Sequence, residues 1–183
     1  MSFKEIESKL SEFEIKKYSK RKHHKDEIET IEVEYKVEFP EDFKLFLLQY
    51  GTCTFNEDDI YYRSIEKNPW TPDDGFESVE IFYGLDKDEY DIRQMIQRYS
   101  EYIPGNLIPF AESPGGNQIC IAVNGNEKGK IYFWDHENRN GQKDLFLVAE
   151  SFSDFINSFQ RYQRDLPDID DVEIWLDDDL LND

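Results

Sequence analysis

Apolar side chains recur at helical spacing near both ends of this 183-residue chain and gather in short runs between them. Phe3, Ile6, Leu10 and Phe13 share one helical face and predict a short amphipathic helix over residues 2–14. Ile28, Ile31 and Tyr35 do the same over 25–36. The clearest helix lies in FPEDFKLFLLQYG. Pro40 sits where a first turn tolerates a residue without an N–H, and Glu41 and Asp42 place negative charge at the positive end of the helix dipole. Phe43, Phe46, Leu47 and Tyr50 then trace a buried stripe, and Gly51 is placed to end it in a left-handed turn. Asp88–Ser100 reads as a further helix, with Ile92, Ile96 and Tyr99 on one face. Ser151, with Asp154 three positions on, caps a last one whose stripe is Phe152, Phe155, Ile156 and Phe159.

The intervening runs read as strands: Thr52–Phe55, Val79–Leu85, Gln118–Val123, Lys130–Asp135 and Leu145–Ala149. Leu107–Phe110 is a short apolar segment between Pro104 and Pro114. Asn124-Gly125 and Gly129 supply the positive-φ positions of a hairpin. The imperfect alternation of KIYFWD is that of a strand covered on both faces. Residues 56–78 are irregular and acidic, punctuated by Pro69, Pro72 and Gly75. Trp70 lies among them; packing on the core is the commoner fate of such a side chain, membership of a binding surface the other. These elements predict an α+β fold, a single domain with a central, mostly antiparallel sheet flanked by helices. Residues 1–24 form an N-terminal helix and basic connector, 25–164 the domain, and 165–183 an acidic C-terminal segment.

Charge changes the picture. The chain has 41 acidic and 21 basic residues, a net charge of −20. Residues 1–36 hold nine of each sign, so the whole excess lies in the remainder. Such a body repels phosphate backbones and attracts basic partners; nucleic-acid binding is not expected. Solubility alone and a charge-matched partner both account for the acidity. The exception is KKYSKRKHHK, residues 16–25, with six Lys/Arg. No aromatic interleaving or hydrophobic face accompanies it, so it reads as a solvated, flexible connection between two helices rather than a nucleic-acid or membrane contact. From Asp165 onward there are nine acidic residues and no basic one, interspersed with Ile169, Val172, Ile174, Trp175, Leu176, Leu180 and Leu181. A purely disordered tail would lack those apolar residues, so this segment is expected to dock on the domain or on a partner.

The N-terminus has no signal-peptide core and no apolar run approaches a membrane span. The protein is expected to be made and kept in the cytosol, with Cys53 and Cys120 as reduced, partly buried thiols. Catalytic chemistry finds no motif. His23 and His24 lack a nearby Cys or a helical i, i+4 partner, and no spacing matches a zinc site. Asp135 and His136 are adjacent on a strand and point to opposite faces. The glycines at 115, 116, 125 and 129 match no phosphate loop, and no acidic cluster has the spacing of a calcium loop. No catalytic residue, cofactor or metal site is expected.

Three segments resemble proteins of the SMI1/KNR4 (SUKH) family. IETIEVEYKVEFPEDFKLFLLQYG, residues 28–51, resembles the family's opening pair of helices. IPFAESPGGNQICIAVNGNEKGKIYFWDHE, residues 108–137, is similar to its central signature: a glycine-bearing turn, a strand, a Gly turn and a strand ending in aromatic-Trp-Asp-His. VAESFSDFINSF, residues 148–159, resembles the closing helix. Asn117 departs from the Asp that many relatives carry after the glycines. The resemblance implies an α+β fold and a binding function, since bacterial relatives are immunity proteins that neutralise polymorphic toxins, often nucleases, and fungal relatives are regulatory scaffolds. The expected function is therefore that of an intracellular immunity protein, with a basic protein toxin as partner; a signalling scaffold is the alternative. Expected charged contacts are Glu57, Asp58, Asp59, Asp73, Asp74, Asp177, Asp178 and Asp179, with Trp70 and Trp175 as apolar anchors.

Overall fold

A computed structural model describes residues 3–56, 60–138 and 143–161. Its helices are α1 (Phe3–Leu10), α2 (Lys25–Tyr35), α3 (Glu41–Tyr50), α4 (Ile92–Tyr99) and α5 (Phe152–Asn157). Its strands are β1 (Ile15–Lys17), β2 (Cys53–Phe55), β3 (Tyr61–Tyr62), β4 (Glu77–Ser78), β5 (Ile81–Phe82), β6 (Leu107–Ser113), β7 (Asn117–Ala122), β8 (Ile131–Trp134) and β9 (Leu145–Ala149). Seven strands form one antiparallel sheet in the order β1-β2-β5-β6-β7-β8-β9, while β3 and β4 pair separately. The α+β architecture expected from the periodicities is the observed one.

The helical stripes meet on the sheet. Phe43, Phe46, Phe110, Phe152 and Phe155 are fully buried, and their rings pack edge-on or tilted, as between Phe43 and Phe152 (5.2 Å), Phe46 and Phe152 (5.2 Å), and Phe110 and Phe155 (5.9 Å). Each such ring removed from water contributes about 1.5–3 kcal/mol. Ile119, Ile121, Ile131 and Phe133 line this face of the central strands, and Ile6 and Leu10 of α1 join the same core. On the opposite face Ile103, Leu107, Cys120, Ala122 and Trp134 form a smaller cluster. The β8 strand is thus covered on both sides, as its imperfect alternation predicts.

Several boundaries differ from expectation. The first helix stops at Leu10, although Phe13 still packs edge-on against Phe55 and Phe159. The basic run is not a free connection: Ile15–Lys17 pairs with β2, and His23 is buried. The fourth helix begins at Ile92, not at Asp88. The Asp91 carboxylate accepts the Arg93 N–H at 2.9 Å and starts α4 one residue later. Of Val79–Leu85 only Ile81–Phe82 is a paired strand. The apolar segment at 107–110 is the first half of a seven-residue strand. Pro109 is tolerated there because the register shifts between Pro109 and Ala111. Gly51 has a positive φ of 60° with ψ of −146°, not the left-handed turn expected; a Cβ there would lie 2.4 Å from His23 Nε2.

Candidate protein-binding surface

Residues 63–76 form a loop whose two ends are joined by the β3–β4 pair, Tyr61 opposite Ser78 and Tyr62 opposite Glu77. The loop is held at several further points. Ile65 and Glu66 donate their N–H groups to Val148 O (3.1 Å) and Leu147 O (2.8 Å), so the chain lies along β9. Asn68 is buried; its amide donates to Glu77 Oε2 at 2.7 Å and its Oδ1 accepts the Trp70 N–H at 2.8 Å. The Thr71 hydroxyl donates to Glu77 Oε1 at 3.2 Å and accepts the Asn68 N–H at 2.9 Å. The Asp74 carboxylate accepts the Phe76 N–H at 3.0 Å, and the Arg63 guanidinium lies 4.1 Å from the Phe76 ring centre. Glu66 also ion-pairs with Lys143.

This framework presents apolar side chains outward. Trp70 is 49% and Ile65 60% exposed, and Asp73 and Asp74 are exposed beside Trp70 in the same loop. The commoner fate expected of Trp70, burial in the core, is not what the fold does with it. The buried polar positions here are Asn68 in the loop and Glu77 on β4, whose mutual hydrogen bond fixes the turn, and Trp70 is left on the outside. Of the ten residues expected to contact a partner, Trp70, Asp73 and Asp74 are described, and all three are exposed in this loop. Glu57, Asp58, Asp59, Trp175, Asp177, Asp178 and Asp179 lie outside the described residues.

The second face of the sheet carries a polar network. The Tyr83 hydroxyl donates to Gln118 Oε1 at 2.7 Å, and the Gln118 amide donates to Tyr99 Oη at 3.1 Å and Gly116 O at 3.0 Å. Burial pushes the Tyr83 and Tyr99 phenols up, the nearby Glu112 carboxylate adding to it. Glu80 is likewise raised by burial and by Glu112. Phenols held in the neutral form act here as hydrogen-bonding groups, not as bases.

The histidines are structural. His136 presents its Nδ1 3.0 Å and its backbone N–H 3.2 Å from Asn117 Oδ1, while Asp135 turns its carboxylate to the Glu137 N–H at 3.0 Å. The two adjacent side chains do not converge. The Asn117 amide also donates to Pro114 O at 3.1 Å, a bond that an Asp in its place would not make. Sequence reasoning missed a second buried charge centre. His23 Nε2 faces Asp86 Oδ1 at 3.4 Å, Asp86 Oδ2 accepts the Thr52 N–H at 2.6 Å, and Arg21 reaches His23 Nδ1 (3.2 Å), Glu27 (2.7 Å) and Leu85 O. The signal available for it was the charged string RKHHKDE, in which Glu27 Oε2 accepts the His24 N–H at 3.0 Å. Cys53 and Cys120 are buried free thiols, and burial raises both. Among the described residues, no three His, Cys, Asp or Glu side chains are grouped to hold a metal ion, and no helix is long and apolar enough to cross a membrane.

The chain is similar in sequence to known proteins. An SPbeta prophage-derived uncharacterized protein of Bacillus subtilis, YokK, is 38% identical over the full length of both chains. An uncharacterized lipoprotein of Staphylococcus epidermidis, SERP2447, is 34% identical over 58% of this chain and 43% of its own. The model of the SMI1/KNR4 family (SUKH-1) matches residues 23–158. That span runs from the buried His23 through the Trp70 loop and the central hairpin to the end of α5, and the chain belongs to the SMI1/KNR4 (SUKH-1) family.

Proposed function

We propose that this protein is an immunity factor: it binds a toxin of opposite charge inside the producing cell and blocks it by occupying its surface, without chemistry of its own. The observation that carries this reading is the exposed Trp70 on a loop hydrogen-bonded from within, with Asp73 and Asp74 exposed in the same loop, in a domain of the SUKH-1 family. An aromatic anchor held in place before binding loses little entropy when it is buried, and such residues dominate interface energies. The net charge of −20 favours a basic partner, such as a nuclease whose groove must hold phosphates. The prophage origin stated for the Bacillus relative fits a gene that protects its carrier.

Co-expression tests this directly. The toxin domain encoded beside the gene should arrest growth alone, and this protein should restore growth and copurify with it at low salt. Rescue that survives Trp70→Ala together with Asp73→Lys and Asp74→Lys would move the interface elsewhere. No rescue and no copurification would reject immunity in favour of a scaffold role.

A further inference from the structure

Residues 15–25 hold six Lys/Arg and no acidic side chain, on a protein whose net charge is −20. The fold turns this run into an ordered surface. β1 is an edge strand, with no described strand on its outer side. The Tyr18 N–H donates to Thr52 O at 3.0 Å, and His23 is sunk beside Asp86. Lys16 on β1, and Lys20 and Lys22 in the segment that follows it, are exposed and have no ion-pair partner among the described residues. Between them Tyr18 is 55% exposed.

The exit of the chain lies close by. Gln160 exchanges two backbone hydrogen bonds with Tyr61, both 2.9 Å, and the Arg161 guanidinium donates to Glu12 O at 2.8 Å, three residues before β1. The last described residues, Gln160 and Arg161, therefore lie beside the start of the cationic run. From Asp165 onward the chain carries nine carboxylates and no cation, with Trp175 among the apolar residues. Ten extended residues span roughly 33 Å, ample to reach Lys22.

We propose that the acidic segment 165–183 is an intramolecular ligand of this edge, its carboxylates meeting Lys16, Lys20 and Lys22 and its apolar residues meeting Tyr18. Glu12 and Glu14, at the entry to the edge, repel the segment and push its contact toward Tyr18–Lys22. A tethered segment acts at an effective concentration on the order of millimolar, so individually weak pairs suffice. Docking shields this cationic run from other polyanions. The inference does not depend on the immunity reading.

Carbodiimide coupling of the full chain tests it, using an equal mixture of isotope-labelled and unlabelled protein. Isopeptide links are expected from Lys16, Lys20 or Lys22 to carboxylates of 165–183, within one isotopic species, falling at least threefold between about 20 mM and about 0.5 M salt. Links mainly to lysines elsewhere, such as Lys128, or mixed-isotope links from a second copy, would overturn it. The full-length triple variant Lys16→Glu, Lys20→Glu, Lys22→Glu changes exposed side chains that have no ion-pair partner among the described residues. Chymotryptic cleavage at Trp175 should quicken about threefold or more in it, by analogy with loss of a tethered contact. An unchanged cleavage rate, with the thermal transition also unchanged, would sink the proposal.

Discussion

Trp70 and His23 show what surroundings do to a side chain. Trp70 has its backbone N–H held by Asn68 and its ring half in solvent. Because full burial of a large apolar side chain contributes only about 1.5–3 kcal/mol, Trp70→Ala should cost the fold about 1 kcal/mol or less. As a central anchor it should cost partner binding about 2 kcal/mol or more, roughly a thirtyfold rise in Kd. Urea titration and calorimetry with the proposed partner measure the two. A Kd unchanged within a factor of about two would exclude Trp70 from the interface. His23 behaves differently. Burial lowers its pKa and Arg21 adds to this, while Asp86 opposes it. A guanidinium offers only donors, so Nδ1 accepts from Arg21 and the proton sits on Nε2, toward Asp86. Folding thus favours the neutral ring. The stability this gives is complete above the unfolded histidine's pKa of about 6.5 and is lost as pH falls through the lowered folded value. The wild-type urea midpoint should therefore fall more than that of His23→Asn between about pH 7.5 and 5.5. Equal falls would mean that His23 is not the group responsible.

At the scale of elements, the helices were legible and the short strands were not. The stripes of α3 and α5 follow a period of about 3.6 residues, and every residue named for them is buried. Ser151 starts α5 as expected, accepting the Asp154 N–H at 3.0 Å and donating to its carboxylate at 2.6 Å. A cap and a core side chain next to each other can be compared. Ser151→Ala should cost about 1 kcal/mol and Phe152→Ala about 3–5 kcal/mol, read from denaturant midpoints. A Phe152→Ala cost no larger than that of Ser151→Ala would mean that α5 is not packed as described. Strands of two or three residues carry too few alternations to announce themselves. β1 was hidden inside a basic run, because what makes it a strand is the backbone of β2 opposite it. β5 stops after Phe82 for a similar reason. Gly84 passes so close to the backbone at Gly51 and Thr52 that a Cβ would lie 2.0 Å from the Thr52 N. Such a crossing is a fact about two distant segments, not about either one.

For the whole molecule, charge and layout are separate matters. The net charge of −20 is a property of composition, and its kinetic consequence can be tested as it stands. Reversing Asp73 and Asp74 to Lys should lower the association rate with a basic toxin about tenfold at low salt and much less at high salt, while dissociation changes little. Stopped-flow mixing across a salt series checks this; an on-rate insensitive to salt would exclude steering. Layout decides which charges act together. Residues 65 and 66 of the Trp70 loop bond to β9, at one end of the strand order, whereas Lys16 lies on β1, at the other. Nothing in the one-dimensional pattern separates them in this way.

The amino-acid sequence alone determined the α+β class, the helical stripes, the central hairpin and membership of the SMI1/KNR4 family, because each rests on local periodicity or a contiguous motif. The tertiary structure decided that Trp70 faces water, that His23 is buried against Asp86, and that the start of a basic run becomes an edge strand. Each of these depends on a contact between residues far apart in the chain: β1 with β2, residues 65–66 with 147–148, and His23 with Asp86. Such contacts form only when the whole core closes, and no window of sequence contains both partners.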